Sequence, residues 1–268
     1  MIRVCDANVV KGNQYFAVKE LRSTRIQDFQ LEVVALRTFV VSPHAHIIKL
    51  LAAFRRGQSF YLLFPWATGD LREFWQENPR PTIDVHLSTW IAKQLLGIAS
   101  ALSHVHNQHS AKLSRKGRHG DLKPENILWF KDYDDESMSG IRGTLKISDF
   151  GLSKVYLPGD PDEYERPRGY SRTYRAPEIE VKGNIGNAYD IWSLGCIFLE
   201  TAVWMIRGWD GVNSFALGRA TCVGPQNSPT DDAFFEIVIP GQGTTLLASL
   251  KPVVVKVRTP SLSRGTAD

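Results

Sequence analysis

Apolar and polar positions divide the chain into two unlike halves. Over the first 65 residues the pattern is mainly that of strands. Tyr15 to Leu21 alternates with a period of two, which puts Ala17 and Lys19 on one face and Phe16 and Val18 on the other. From Ile26 to Val40 the apolar positions Phe29, Val33, Leu36 and Val40 recur at spacings of four, three and four, the stripe of an amphipathic helix. Ser42-Pro43 closes it, because the residue before a proline is pushed out of the helical region. Ile47 to Phe54 and Ser59 to Phe64 are apolar runs joined by Arg55-Arg56-Gly57-Gln58, which predicts a hairpin. After Pro65 the helical period takes over. Asp70 to Glu77 reads as a short helix, and Leu87 to His106 as a long one with Trp90, Ile91, Leu95, Ile98, Leu102 and Val105 on one face. Ile127 to Phe130 and Thr144 to Ile147 are short strands separated by the acidic turn Asp132 to Glu136, and Ala188 to Arg207 is helical again. Gly208 to Asp268 holds seven Gly and five Pro in 61 residues and shows no sustained helical period; it predicts only a strand at Val253 to Val257.

Length and composition narrow the class. A chain of 268 residues fits one large domain or two packed lobes, and is long enough to bury about three-quarters of the surface its unfolded form exposes. An apolar share of 43% and a charged share of 22% exclude a disordered or collagen-like chain. Thirty-two Lys and Arg against 28 Asp and Glu leave +4, too mild a charge to predict a nucleic-acid partner. Cys5, Cys196 and Cys222 are odd in number and widely spaced, which fits neither a disulfide framework nor a zinc ribbon and predicts an intracellular setting, cytoplasmic or nuclear. The most apolar stretch, Ile191 to Ile206, is interrupted by Ser193, Glu200 and Thr201 and falls short of the ~20 residues of a membrane span, so it reads as a buried helix. Arg3 and Asp6 likewise break any apolar leader at the N-terminus. His104, His106 and His109 lie close together, but the i, i+2 pair faces opposite sides of a helix with no carboxylate to complete a metal site, and the expectation is that they are incidental. Lys112 to His119 reads as a solvated basic loop.

The chemistry is carried by short blocks in a fixed order. Phe16-Ala17-Val18-Lys19 lies in a strand. His119-Gly120-Asp121-Leu122-Lys123-Pro124-Glu125-Asn126 lies in a loop between the long helix and a short strand. Asp149-Phe150-Gly151 follows the next strand, 28 residues after Asp121, and Ala176-Pro177-Glu178 begins 27 residues after Asp149. In these blocks, from about Lys19 to Glu200, the sequence resembles the eukaryotic protein kinases. The resemblance implies an α+β, two-lobe fold: a small strand-rich N-lobe over residues 1–66, a larger helical C-lobe over 67–207, and a divergent region over 208–268. It implies transfer of the ATP γ-phosphate to protein hydroxyls, a reaction that rests on positioning and charge neutralisation. Lys19 would then serve the inner phosphates, fixed by Glu32 on the following helix. Asp121 would be the catalytic base and Lys123 the cation beside the transferred phosphate. Asn126 and Asp149 would hold Mg²⁺ through hard oxygens. Phe64 would guard the back of the adenine pocket, Pro65 and Ala67 would offer a carbonyl and an N–H to the ring, and Ala17 and Leu128 would sandwich it. Lys123 and Ser171, five residues before Ala176, point to serine or threonine in a protein substrate as the acceptor, with Thr173 as the second candidate for the role of Ser171. Asp190 matches the buried residue that holds the catalytic loop, and is also placed to cap its own helix.

Three departures from the family's pattern carry expectations of their own. The glycine-rich loop that precedes the strand lysine is not seen before Lys19, where Val4 stands as its closing valine; ATP is then expected to bind less tightly. Gly120 replaces an arginine that pairs with a phosphorylated loop, so switching by that route is not expected. The helices that follow the Asp190 helix are not evident, nor is the arginine that pairs with Glu178, which predicts an apolar surface that a partner protein covers. The alternative to a kinase is a kinase-like scaffold that acts through protein contacts.

Overall fold

A computed structural model describes residues 2–7, 14–21, 26–40, 43–109, 114–131, 143–157, 159, 167–222, 230–238 and 246–257. The acidic turn at Asp132 to Glu136, the helix-closing Ser42 and the side chain of Val4 lie outside the described set. In the first part, β1 (Ile2–Ala7) and β2 (Gln14–Leu21) precede α1 (Ile26–Val40), which is followed by β3 (Ala52–Arg56) and β4 (Ser59–Pro65). The strands form one antiparallel sheet in the order β1-β2-β4-β3. Along β4 every second residue turns inward, so that Phe60, Leu62 and Phe64 are buried, as a period of two requires. α1 lies over this sheet and buries Val33, Ala35, Leu36 and Phe39. The predicted helix is found where the pattern put it; the hairpin is found too, but its first strand runs from Ala52 to Arg56 rather than from Ile47 to Phe54.

The second part is mainly helical. β5 (Gly69–Asp70) leads into α2 (Leu71–Glu77), whose start is fixed by a reciprocal cap: Glu73 N–H donates to Asp70 Oδ1 at 2.9 Å, and Asp70 N–H donates to Glu73 Oε2 at 3.0 Å. α3 (Val85–His106) is capped by Asp84, which accepts from Leu87 N at 2.7 Å. After β6 (Gln108–His109) and β7 (Ser114–Arg118), a 3-10 turn at Pro124–Asn126 opens β8 (Ile127–Phe130), which pairs with β9 (Thr144–Ile147). A second 3-10 turn at Phe150–Leu152 precedes β10 (Lys154–Tyr156), and α4 (Glu178–Val181) precedes α5 (Ala188–Arg219). The chain then forms β11 (Thr221–Cys222), β12 (Thr230–Asp231), β13 (Phe235–Val238), β14 (Leu247–Leu250) and α6 (Pro252–Val257). One apolar core runs through both parts, from Leu36 and Leu62 to Phe74, Ile98, Trp204, Phe215 and Val254. Cys196 is buried in it and forms no disulfide.

Two expectations about the C-terminal region are corrected. The helix expected from Ala188 to Arg207 does break there, at Gly208, where the backbone is non-helical with φ +67°, but the chain bends and a second helical stretch, not expected after 208, runs on to Arg219. The bend is held from outside: a Cβ at Gly208 would lie 2.2 Å from the carbonyl oxygen of Pro79, and that oxygen instead accepts from Trp209 N at 2.9 Å. Three glycines between 208 and 218 had hidden this helix in the sequence. Val253 to Val257, expected as a strand for its β-branched residues, forms α6. Pro252 supplies its first position, and Lys251 O accepts from Val254 N and Val255 N at 2.9 and 3.2 Å. Alone among the described helices α5 has the length and composition to cross a membrane, yet it carries the buried charges Asp190, Glu200 and Arg219 and packs Trp204 into the core. Its Ile206 and Leu217, with Ile237, Val238 and Leu247, face outward.

Phe74 sits at the centre of the helical part, with ring centroids of Trp129, Trp204 and Trp90 at 4.9, 5.3 and 5.5 Å. Phe74→Ala is expected to lower the unfolding free energy by about 3–5 kcal/mol, and Leu96→Ala, at a site 73% exposed, by less than about 0.5 kcal/mol. Urea titrations of the two variants check this; equal shifts would contradict the placement of the core.

Candidate functional site

The first half of the site is built across the boundary between the two parts. Lys19 lies on β2 opposite Leu62 of β4, and its ammonium reaches Glu32 Oε1 on α1 at 2.7 Å and Asp149 Oδ1 at 2.7 Å. Period-two and period-3.6 patterns, 13 residues apart, thus deliver one cation and one carboxylate to the same point. Glu32 is 3% exposed, and burial pushes its carboxyl above the ordinary carboxylate range more than Lys19 draws it down. Lys19 loses solvation too, but its two carboxylate partners outweigh that and raise its pKa. Asp149 is half-exposed; against partial burial, the Lys19 charge and hydrogen bond hold its carboxyl below the ordinary value. Asp149 adopts φ +57°, a left-handed conformation that aspartate tolerates better than most residues, and its side chain accepts from Gly151 N at 3.4 Å. The next residue, Phe150, is buried between the rings of Phe39 on α1 and His119, with centroids at 5.2 and 5.0 Å. One turn of chain therefore couples α1, Lys19 and the 119–126 loop.

That loop is held from below by α5. Asp190, fully buried, accepts from Gly120 N through Oδ1 at 2.8 Å, and through Oδ2 from His119 N and His106 Nε2, each at 2.8 Å. Burial opposes its charge, but the His106 hydrogen bond, the His106 and His119 rings and the Gly120 N–H outweigh it and keep the carboxyl below the ordinary value of 3.8. The expected capping role is not found: α5 has no side-chain cap, and both Asp190 oxygens are spent on the loop. His106 is likewise not incidental. It is 7% exposed and is one of the three donors to Asp190, reached from the C-terminal turn of α3, which the sequence gave no carboxylate partner to suggest. His119 Nε2 donates to Ser148 O at 2.9 Å while its Nδ1 accepts from Asp121 N at 3.3 Å, which fixes the ring's tautomer. Gly120 has φ +85°, and a Cβ there would stand 3.0 Å from Leu152 O, so the position suits glycine on backbone grounds.

On this platform Asp121 Oδ1 accepts from the Ser171 hydroxyl at 2.6 Å and from Ser171 N at 3.1 Å. Asp121 Oδ2 meets Lys123 Nζ at 2.9 Å and Asn126 Nδ2 at 3.2 Å, and Lys123 Nζ donates to Ser171 Oγ at 3.1 Å. Ser171, not Thr173, faces Asp121; Thr173 donates to Asp232 instead. Asn126 Nδ2 also donates to Asp121 O at 2.7 Å, which leaves its amide oxygen without a hydrogen bond among the described residues; the same holds for Asp149 Oδ2. These two free hard oxygens suit a Mg²⁺ ion that takes its other ligands from phosphates and water.

The remaining sequence candidates sit on β2, at the end of β4 and just beyond it, and on β8. Ala17 pairs with Phe64 across β2 and β4, and Phe16 with Pro65. Phe64 is 9% exposed, Pro65 and Ala67 are half-buried beyond it, and Leu128 lies on β8, two residues past Asn126. Sequence reasoning also missed a cavity of about 560 Å³ behind Lys19, lined by Leu31, Val34, Arg118, Lys154 and Arg168 among others. Arg118 is buried and donates to Ile185 O at 2.6 Å. The expectation that Lys112 to His119 is a solvated basic loop is corrected: Ser114–Arg118 forms β7, and Arg118 and His119 are buried. No ion pair to Glu178 is found among the described residues, and Arg219 pairs with Glu200 at 2.7 Å.

A lysine held by a helix carboxylate and by the aspartate of an Asp-Phe-Gly turn, facing an aspartate–lysine–serine cluster, is the arrangement of protein kinases. The protein kinase domain model matches residues 3–206, and the chain belongs to the protein kinase family. Within it the similarity is to serine/threonine kinases of the cyclin-dependent group. Cyclin-dependent kinase-like 4 of Homo sapiens is 32% identical over 161 residues, 59% of this chain and 35% of that protein. Cyclin-dependent kinase 7 of Dictyostelium discoideum is 29% identical over 204 residues, 74% of this chain and 50% of that protein. Serine/threonine-protein kinase crk1 of Schizosaccharomyces pombe is 29% identical over 192 residues, 70% of this chain and 50% of that protein. The chain thus spans between about a third and about half of these relatives.

Because the folded pKa of Asp190 is depressed, its stabilisation is complete above the unfolded value near 3.8 and is lost as pH falls through the lower folded value. Asp190→Asn is expected to cost about 3–5 kcal/mol at neutral pH, as breaking a buried charged network does, with the gap to wild type narrowing below pH 3.8. Urea midpoints of both proteins across pH 3–7 check this; a gap that is constant with pH would contradict an ionised Asp190.

Proposed function

We propose that this chain is a protein serine/threonine kinase that transfers the γ-phosphoryl group of ATP to hydroxyls of a protein substrate. The observation that carries the reading is the convergence of Lys19, Glu32 and Asp149 within 2.7 Å contacts on one side and of Asp121, Lys123 and Ser171 on the other. In this reading Lys19, kept charged and oriented by its two carboxylates, neutralises the inner phosphates. Asp121 orients the acceptor hydroxyl and takes its proton as the oxygen–phosphorus bond forms and the bond to the ADP oxygen breaks. Lys123 offsets charge on the phosphoryl group in transit. Asn126 and Asp149 would hold Mg²⁺, which when bound neutralises phosphate charge. Phe64, Ala17 and Leu128 would bound the adenine space, with the Pro65 carbonyl and the Ala67 N–H available to the ring.

Two features of the site support catalysis over a scaffold alone. The Lys19 ion pairs are closed, so no rearrangement of α1 is needed to form them. The loop that carries Asp121 has its backbone N–H groups bound to a buried anion, which limits the reorganisation needed during transfer.

Asp121→Asn is expected to lower kcat for phosphorylation of a protein acceptor by about 10²–10⁴-fold while leaving the thermal stabilisation by Mg²⁺-ATP unchanged. Radiolabel transfer and thermal-shift titration measure the two effects. Wild-type chain that gains no stability from millimolar Mg²⁺-ATP and transfers no label would overturn the reading in favour of a scaffold.

A further inference from the structure

Asp231 and Asp232 lie in the region whose sequence showed least, and both carboxylates are directed at the stretch of chain that begins with Ser171. Asp232 takes the Thr173 hydroxyl between its two oxygens, at 2.8 Å to each. Asp231 forms a two-pronged pair with Arg175, Nη1 to Oδ1 at 3.0 Å and Nη2 to Oδ2 at 2.8 Å. The Arg175 guanidinium outweighs the partial burial of Asp231 and holds its carboxyl below the ordinary range. Arg175 is itself 7% exposed, stacks over Phe235 at 5.2 Å, and donates through Nε to Glu180 and through Nη1 back to Arg172 O.

The two aspartates are in turn fixed from behind. Lys251, 3% exposed, donates to Asp231 O and to Arg219 O, each at 2.7 Å. Arg219 Nε donates to Asp232 O at 3.1 Å, while its guanidinium lies between the rings of Phe215 and Phe234 at 4.3 and 4.0 Å and pairs with Glu200. Glu200 also accepts from the Tyr174 hydroxyl at 2.7 Å. Residues 173, 174 and 175 are therefore each tied to an acidic side chain, two of the three from the loop at 231–232.

We propose that Asp231 and Asp232 are positioning residues for the acceptor side of the reaction: by clamping Arg175 and Thr173 they hold Ser171 against Asp121 and set the surface along which the acceptor polypeptide lies. The inference rests on the kinase reading for the word acceptor. It does not rest on it for the clamp. An acceptor hydroxyl that reaches Asp121 brings its flanking residues beside Ser171–Arg175, since the Ser171 hydroxyl already borders that point from the chain's own side. Segments that bind a partner's backbone lose less entropy when they are ordered beforehand, so loosening this stretch weakens acceptor binding and leaves nucleotide binding alone.

The test uses the full 268-residue chain. Hydrogen–deuterium exchange is followed at residues 170–176 and, as an internal reference, in α3. Asp231→Asn, Asp232→Ala and Thr173→Val are each expected to speed exchange at 170–176 about tenfold or more, as loss of a hydrogen bond to a charged group does, with α3 unchanged. Thr173→Ser, which keeps the hydroxyl, is expected to match wild type. The double variant Thr173→Val with Asp232→Ala is expected to be no faster than either alone. In turnover assays the same variants raise KM for an acceptor peptide and leave KM for ATP in place. Should an aspartate variant lose its fold, the Thr173→Val and Thr173→Ser pair carries the test. Exchange at 170–176 that is the same in wild type, Thr173→Val and Asp232→Ala overturns the clamp. Wild type that shows the exchange pattern but transfers no phosphate overturns the kinase reading and leaves the clamp standing.

Discussion

A single buried carboxylate does most to give this chain a working geometry. Asp190 is inaccessible to water and would be intolerable there without partners, yet three donors from two other elements converge on it. Two of those donors are backbone N–H groups of the loop that carries Asp121, and the third is the ring at the end of α3. An anion inside α5 therefore dictates where a loop 70 residues away runs, and it does so by the cost of leaving any member unpaired rather than by the net strength of the bonds.

The second constraint crosses between the two parts of the fold. The sheet carries Lys19, α1 carries Glu32, and the turn after β9 carries Asp149, so the one ammonium ties three elements together. The apolar contact of Phe150 with Phe39 and His119 runs alongside it and joins α1 to the loop held by Asp190. Further backbone bonds reinforce this junction: Ile48 N donates to Ile147 O at 2.9 Å, and Ile147 N to His46 O at 2.8 Å. Charge sets the direction of the side chains; packing sets the distance between the parts.

What the sequence made legible follows from which forces leave a local trace. Periodicity leaves one, so β2, α1, the β3–β4 hairpin, α2, α3, β8 and β9 were all readable; Lys19, Asp121 and Asp149 stood in ordered blocks, and Glu32 lay on the helix that follows the first of them. Long-range pairing leaves none. His106 was set aside because its carboxylate partner is 84 residues distant, and Arg118 because its carbonyl partner is 67 residues distant. Asp190 was read correctly as the loop's anchor but was also given a capping role, which the loop's demand for both its oxygens precludes. At the far end, glycines at 208, 211 and 218 erased the helical period although a second helical stretch follows the break at Gly208, and Val253 to Val257 kept a strand-like composition although Pro252 and the Lys251 carbonyl start a helix. In each case a tertiary contact, not intrinsic propensity, decided the outcome.

The same contrast explains why the chain's least readable region bears on its most readable one. Residues 208–257 contribute no block that resembles a functional motif. Their contribution is instead two buried cations, Arg219 and Lys251, each of which places one donor on a backbone carbonyl of the 231–232 loop. A buried cation placed on backbone carbonyls fixes a loop's path with little help from the loop's own sequence, since every residue brings the same backbone acceptor. The loop's two carboxylates then meet Thr173 and Arg175, and Asp231 Oδ1 also accepts from Ala233 N at 3.1 Å. The loop that carries Asp121 is thus held by an anion before the break in α5, and the stretch from Ser171 to Arg175 is tied to a loop held by Arg219, after that break, and by Lys251.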